Sequence, residues 1–433
     1  MIIPILKTDN REVNMAFRIA VGDMVSNIDM FSDGILSEEK PVMMAGAGYD
    51  TPWTRDAAIN TWNAGGLIIP EISKNTLLSV VICENGAKRV GGQYWDAIIW
   101  VTGAYNYWLY TGDEEFYEIL REVTVNSVRY FEENEFDRAS GLFMGAACYG
   151  DGVSAYTDPY SESVMTEHQD MMTLSTNCLY YNAYKIAYIL TDNKEYLDKA
   201  EKLGQNINKV FWNEEAGIYD YMLDKDGVLH SYEGLGESFA ILFGVADDEK
   251  SRRIVKNQII TPNGIPCLYP NFKRYERYGI GRHSGTVWPH IQAFWACAAA
   301  RYDMSGFEHE LNALTKNVLR DGFFSEIYHP ESGERYGGVQ EWQGEIVKWQ
   351  SEKRQMWCAT GYIRMIISGL LNMTFDRDGI HILPRRVKGI HKLDLFNLRY
   401  RNAVINIHID DFERIEKGVF VPKDTEGEIK LTF

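Results

Sequence analysis

Six stretches of this sequence bring polar and aromatic residues together in combinations that could do chemistry. They are Asp50-Thr51-Pro52-Trp53-Thr54-Arg55-Asp56, Gly91-Gly92-Gln93-Tyr94-Trp95-Asp96, and a long stretch, 144–172, that carries Tyr149-Gly150-Asp151-Gly152 and Glu167-His168-Gln169-Asp170. Further on come Tyr232-Glu233-Gly234, Arg282-His283-Ser284-Gly285-Thr286-Val287-Trp288-Pro289, and the run from Ser325-Glu326-Ile327-Tyr328-His329-Pro330 to Trp357. Their contents suit a sugar, whose C–H faces stack on aromatic rings and whose hydroxyls need paired donors and acceptors. Trp53, Trp95, Trp288, Trp342, Trp349 and Trp357 supply faces. Arg55, Asp56, Gln93, Asp96, Asn177, His283 and Gln340 supply polar partners. Glycoside hydrolysis needs two carboxyl groups, one to protonate the leaving oxygen and one to activate water or attack. The chain has 61 acidic residues. Position in the clusters narrows the field to Asp50, Asp56, Asp96, Asp151, Asp158, Glu167, Asp170, Glu233, Glu326 and Glu341, and residue type alone leaves the pair open among them.

Something must bring these clusters together. Twelve stretches carry apolar residues at three- and four-residue spacing and predict helices: roughly 10–30, 55–66, 75–88, 95–112, 114–132, 173–191, 194–211, 235–244, 248–260, 285–301, 305–319 and 355–371. The clusters fall in the loops that enter the even-numbered helices. Repeated helix pairs form either an open solenoid or a closed ring with one layer inside another. In a closed ring, alternate loops share a rim, so the common parity of the clusters favours closure. Three fragments, FDRASGLF (136–143), WNEEAGIYDY (212–221) and HPESGERYGG (329–338), read as small hairpins after helices and hint at an internal repeat. From 374 the pattern alternates apolar and polar residues with turns between, which predicts antiparallel strands. The fold class expected is therefore mainly α, an (α/α)6 barrel over residues 1–372, with a small antiparallel β segment over 373–433.

Composition excludes much else. Lys and Arg number 44 against 61 Asp and Glu, a net charge of −17. That argues against nucleic acid or an anionic membrane surface as partner. No Gly-rich phosphate loop, H-E-x-x-H motif or Cys/His cluster with ligand spacing occurs, so neither a cofactor nor a metal is expected. The six cysteines lie apart, mostly in apolar stretches, and the first residues resemble neither a secretion signal nor a membrane span, which predicts a reducing, cytoplasmic setting. The sequence leaves oligomeric state open.

The order of motifs resembles the six-hairpin, (α/α)6-barrel glycoside hydrolases, in particular the processing α-glucosidase/mannosylglycerate hydrolase group, trehalases and the amylo-α-1,6-glucosidase domain. TPWTRDA, WDAIIWVTGAYNYWLYTGD, LSTNCLYYNAYKIA, FWNEEAGIYDY, HSGTVWPHIQAFW and SEIYHPESGE carry the resemblance, across roughly 40–372. It implies an O-glycosyl hydrolase acting on a small carbohydrate, with Glu326 as general base and Asp151, in CYGDGVSAY, as general acid. The context of Asp151 departs from the D-N-S or D-F-S pattern of those families. Arg55, Asp56 and Asp96 match residues that hold the innermost sugar, with Trp53, Trp95, Asn177, His283, Trp288 and Trp342 around it. The resemblance further implies inversion and a preference for α-linked substrates, and a long stretch at 144–172 closing one side of the pocket fits exo-action on a short substrate. Inversion sets the two carboxyls roughly 6.5–9.5 Å apart. A sugar epimerase working through His168, His283, His290 and His329, a non-catalytic carbohydrate-binding protein and a phosphorylase are the competing readings.

Overall fold

A computed structural model describes residues 2–92, 95–150, 153–156 and 171–433. Among the described residues, twelve helices of seven residues or more follow one another. They are α1 (Arg11–Ser26), α2 (Thr54–Asn60), α3 (Pro70–Leu78), α4 (Ile99–Thr111), α5 (Glu114–Asn134), α6 (Leu174–Thr191), α7 (Lys194–Phe211), α8 (Gly234–Phe243), α9 (Asp248–Lys256), α10 (Pro289–Ala299), α11 (Met304–Asp321) and α12 (Met356–Arg364). Helix α2 runs on through a π turn, Thr61–Gly65, and α12 through another, Met365–Leu370.

The even helices close a ring. α2 packs on α4, α4 on α6, α6 on α8, α8 on α10, α10 on α12, and α12 on α2. The fold is an (α/α)6 barrel, with the odd helices outside. Residue pattern explains which layer each helix joins. Every side chain of α10, PHIQAFWACAA, is buried, and so is every side chain of α2 and α12. A helix apolar on all sides needs neighbours on all sides. In α7 the buried positions form one stripe, Ala200, Leu203, Gly204, Ile207 and Phe211, and the rest faces water.

The two ends of the ring are built differently. At one end α4, α6, α8 and α10 each pass to the following outer helix through a tight turn. Gly112, Asp192 and Gly244 take left-handed conformations there. An Asn or Asp then caps the outer helix. Asp113 accepts from Phe116 N–H, Asn193 from Glu195 N–H, Asp247 from Lys250 N–H and Asp303 from Ser305 N–H. At the other end the connections are long. They carry the clusters and begin with short β pairs, such as Phe136–Asp137 with Leu142–Phe143 and Trp212–Asn213 with Ile218–Tyr219. The third expected hairpin is reduced to a bridge between Tyr328 and Arg335.

One predicted helix was too long. Over 75–88, helix α3 stops at Leu78 and a hairpin, Val81–Glu84 with Ala87–Val90, takes over. Asn85 and Gly86 both adopt positive φ, 50° and 80°. Asn-Gly is the strongest short-range hairpin signal, and it overrode the apolar spacing.

The C-terminal segment forms two small sheets. Leu393–Tyr400 pairs antiparallel with Ala403–Ile409, which pairs parallel with Gly427–Thr432, so one of the expected antiparallel contacts is parallel. The edge of that sheet comes from the other end of the chain, where Ile5–Thr8 pairs with Leu393–Phe396. The segment docks at the tight-turn end of the ring, with Arg401 N–H donating to Tyr110 O at 2.8 Å.

Candidate active site

The N-termini of the six inner helices converge on the long-loop end. No N-cap side chain closes any of them. Their first N–H groups and partial positive charges are left to other partners at that rim. Ser175 N–H, for example, is satisfied from a distance by Glu233 Oε2 at 3.1 Å.

Glu326 lies at this rim, its side chain 2% exposed. Its Oε1 accepts from Tyr49 O–H at 3.0 Å and from Arg282 Nη2 at 2.9 Å. The backbone holds it from behind, because Glu326 N–H donates to Glu352 O at 2.9 Å. Burial, and then the Glu326 charge, push the Tyr49 phenol far above its ordinary range, so it stays a donor. Asp56, also buried, is near enough to act on the same phenol. The Arg282 guanidinium lies between the rings of Trp288 and Trp349, 5.3 and 5.7 Å from their centroids.

Next to this group Arg55 Nη1 meets Asp96 Oδ2 at 3.0 Å, both buried. Tyr149 N–H donates to the same oxygen at 3.3 Å. Aromatic rings pave the floor. His283 stacks on Trp288 at 5.0 Å, His290 stacks on Trp357 at 4.0 Å, and Tyr149 lies within 6.2 Å of His283, Trp288 and His290. Trp53 and Tyr149 hold positive φ, 44° and 77°. That region is strained for bulky side chains, and such strain gathers at functional sites. A cavity of about 200 Å³ opens beside Trp53, Arg55 and Asp96.

Asp151 lies outside the described residues, as do Gln93, Asp158, Glu167, His168 and Asp170. Residues on either side of Asp151 are at the rim. Tyr149 touches Asp96, and Ser154 Oγ is 3.0 Å from His283 Nδ1 and donates to Gln340 Oε1 at 3.3 Å.

A family model for mannosylglycerate hydrolase MGH1-like glycoside hydrolase domains matches residues 59–357. This chain belongs to that family. Solved structures agree on the fold of this glycoside hydrolase. A sialidase superposes with a TM-score of 0.72 at 14% identity, over 98% of this chain and 40% of that one. A GH78 rhamnosidase of Bacillus sp. GL1 gives 0.59 at 14%, over 99% and 44%. A GH63 mannosylglycerate hydrolase from Thermus thermophilus, solved with Tris and D-glycerate, gives 0.57 at 11%, over 81% and 100%. The chain thus spans less than half the length of the sialidase and the rhamnosidase. A comparison with curated proteins gave no match.

In this member of the family the structure brings together Glu326, Arg55, Asp56, Asp96, His283 and Trp288. Trp53 stands at the start of α2 and Trp95 opens the short turn Trp95–Ile98 before α4. Trp342, 49% exposed, sits on the hairpin Val339–Trp342/Glu345–Lys348 with its ring edge-on to Trp349. Asn177 is not with them. Its Oδ1 accepts from Phe143 N–H at 2.8 Å, and its Nδ2 donates to Phe143 O and Thr173 O at 3.0 and 2.9 Å, so the amide ties α6 to a hairpin. Glu341 is held by Arg274 at 2.9 Å, and Glu345 is exposed. Tyr49 and Arg282 were not singled out as partners of Glu326. Their spacing along the chain gives no sign of it, because only ring closure joins residues 49, 282 and 326. Burial pushes the Glu233 carboxyl up to about 8 despite the Ser175 N–H, and the group is sealed from solvent. Among the described residues no group of three or more His, Cys, Asp or Glu could hold a metal, and no helix is long and apolar enough to cross a membrane.

Proposed function

We propose that this enzyme is an inverting, exo-acting glycosidase for a small α-linked oligosaccharide or glycoside. Glu326 is the general base and Asp151 the general acid. Glu326 takes a proton from water as the water oxygen bonds to the anomeric carbon. Asp151 gives its proton to the leaving oxygen as the glycosidic bond breaks, and the product anomer is inverted. Tyr49 and Arg282 fix the rotamer of Glu326, and the Arg282 cation steadies charge at the base. Arg55, Asp56, Asp96 and His283 bind hydroxyls of the innermost sugar, and Trp53, Trp95, Trp288 and Trp342 offer it faces. Residues 1–372 form the catalytic domain and 373–433 a supporting β domain. A cytoplasmic setting belongs to the same proposal, in keeping with six unbridged cysteines.

The observation that carries this reading is Glu326. It is a buried carboxylate with one oxygen held by a phenol and a guanidinium, at the mouth where six uncapped inner helices converge. The test is hydrolysis of aryl α- and β-glycosides and short disaccharides, with the product anomer followed by NMR. Wild type should release the inverted anomer, and Glu326→Gln and Asp151→Asn should not turn over. A retained anomer sinks the inverting mechanism. Interconversion of free sugars without hydrolysis sinks the glycosidase.

A further inference from the structure

The ring has a second mouth. At the C-terminal ends of the inner helices lies a cavity of about 350 Å³, lined from α4, α6, α8, α10, α12 and the segment 372–375. Four of its side chains are basic, Lys185, Arg301, Arg364 and Arg385, and none is acidic. Arg364 is the deepest, 6% exposed. Its guanidinium lies over Trp62 and Phe294, 4.3 and 4.8 Å from their centroids, and its Nε finds no acceptor. Among the described residues no carboxylate pairs with any of the four.

The ends of the helices explain part of this. Arg301 Nη1 donates to Ile241 O at 3.0 Å, Lys185 Nζ to Phe243 O at 3.0 Å, and Arg385 Nη1 to Gly369 O at 3.2 Å. Each cation thus gives one donor to a last-turn carbonyl, where the helix dipole welcomes it. Arg364 has no such bond. Moreover, Arg301, Arg364 and Arg385 line this one cavity together with Cys297. Burial, and the neighbouring arginine, pull Arg301 and Arg385 below their ordinary range. Like charges gathered in a half-buried cavity repel unless an anion joins them. The chain as a whole carries −17, so this cluster is local design rather than general basicity.

We propose that this far mouth binds a small phosphate ester with a hydroxylated body, a monosaccharide phosphate being the type. The arginine forks match phosphate oxygens, which accept them two at a time. Tyr105, Asn106 and Asn182 line the same cavity, and the amide oxygens of the two asparagines suit the hydroxyls of a polyol. The volume is that of a small-molecule site. Trp62, Phe239, Phe243 and Phe294 form a packed cluster inside the ring, and Arg364 lies on its far side from the catalytic rim. The site is therefore separate from the one that holds Glu326.

Titration calorimetry on the full chain tests this, with glucose 6-phosphate, glucose, inorganic phosphate and citrate as probes. Glucose 6-phosphate should bind one to one and more tightly than inorganic phosphate. Arg385→Gln, and separately Arg364→Met, should weaken it roughly tenfold or more. Glu326→Gln should bind it as wild type does, and Arg385→Gln should keep wild-type hydrolysis, which separates this site from the catalytic one. Binding that both arginine variants leave within about twofold of wild type overturns the proposal, as does no binding of any anion. In those cases the cations serve only the helix ends. Citrate or bare phosphate binding as tightly as the ester overturns the phosphate-ester class. If Arg364→Met melts early, Arg385→Gln, on the rim of the cavity, decides.

Discussion

The two mouths of the ring carry opposite chemistry on the same scaffold. At one, six helix N-termini converge without caps, and the notable side chains are carboxylates, Asp56, Asp96 and Glu326, the last two held by Arg55 and Arg282. At the other, C-termini converge, and the notable side chains are cations without carboxylates. A helix favours anions at its start and cations at its end. Aligning six inner helices therefore divides the chain's charges before any ligand is considered. The connections follow the same division. Tight turns at the far mouth leave little loop to vary, and long connections at the other give room for a site.

The largest test of this contrast is loss of turnover. Glu326→Gln and Asp151→Asn should each lower kcat by about 10²–10⁴-fold, the usual worth of a general acid or base, with melting temperature kept. Arg385→Gln at the far mouth should leave kcat/KM within about twofold. If both mouths proved equally sensitive, the division of labour would be wrong.

A second test concerns protons. Burial raises Glu233, at the entry to α8, and Glu310, inside α11, to about 8 from an ordinary 4.5. The folded state then holds protons that the unfolded chain has lost, so stability is greatest below about 4.5 and falls as pH rises toward 8. Melting temperature should decline from about pH 5 to 8, and Glu233→Gln with Glu310→Gln should flatten the decline. An unchanged slope would mean that other groups cause it.

Asn177→Ala should cost about 2 kcal/mol of stability by removing a three-bond clamp, with KM unaltered in denaturation and kinetic assays run side by side. A raised KM with full stability would return Asn177 to the sugar site. The smallest effect is at Trp342, which should raise KM a few-fold on Trp342→Ala, with stability within about 0.5 kcal/mol.

How far the sequence could be read also differs between the mouths. The clusters stand out in the sequence because each precedes an even helix, and their described residues lie at the long-loop mouth. The twelve helices were legible for the same local reason, apart from 75–88, where the Asn85-Gly86 turn outweighs the spacing. Asn177 was misplaced because an amide at a helix start looks alike whether it meets a sugar or a hairpin backbone. Tyr49 and Arg282 were missed as partners of Glu326, since their contact exists only after closure. The far mouth left no trace. Lys185, Arg301, Arg364 and Arg385 are single letters on four unrelated segments, and no local pattern joins them.

The pairing of Ile5–Thr8 with Leu393–Phe396 also sets a clock. A ribosome adds about 5–20 residues per second, so the first strand waits on the order of 20–80 s for its partner to be made. Helix α1 faces the same delay, because it packs on α11 and α12. Until then a half-built barrel shows apolar helix faces to its surroundings. The newborn chain should depend on chaperones late in synthesis, and a stall just before residue 393 should leave a species more prone to aggregate than the finished enzyme.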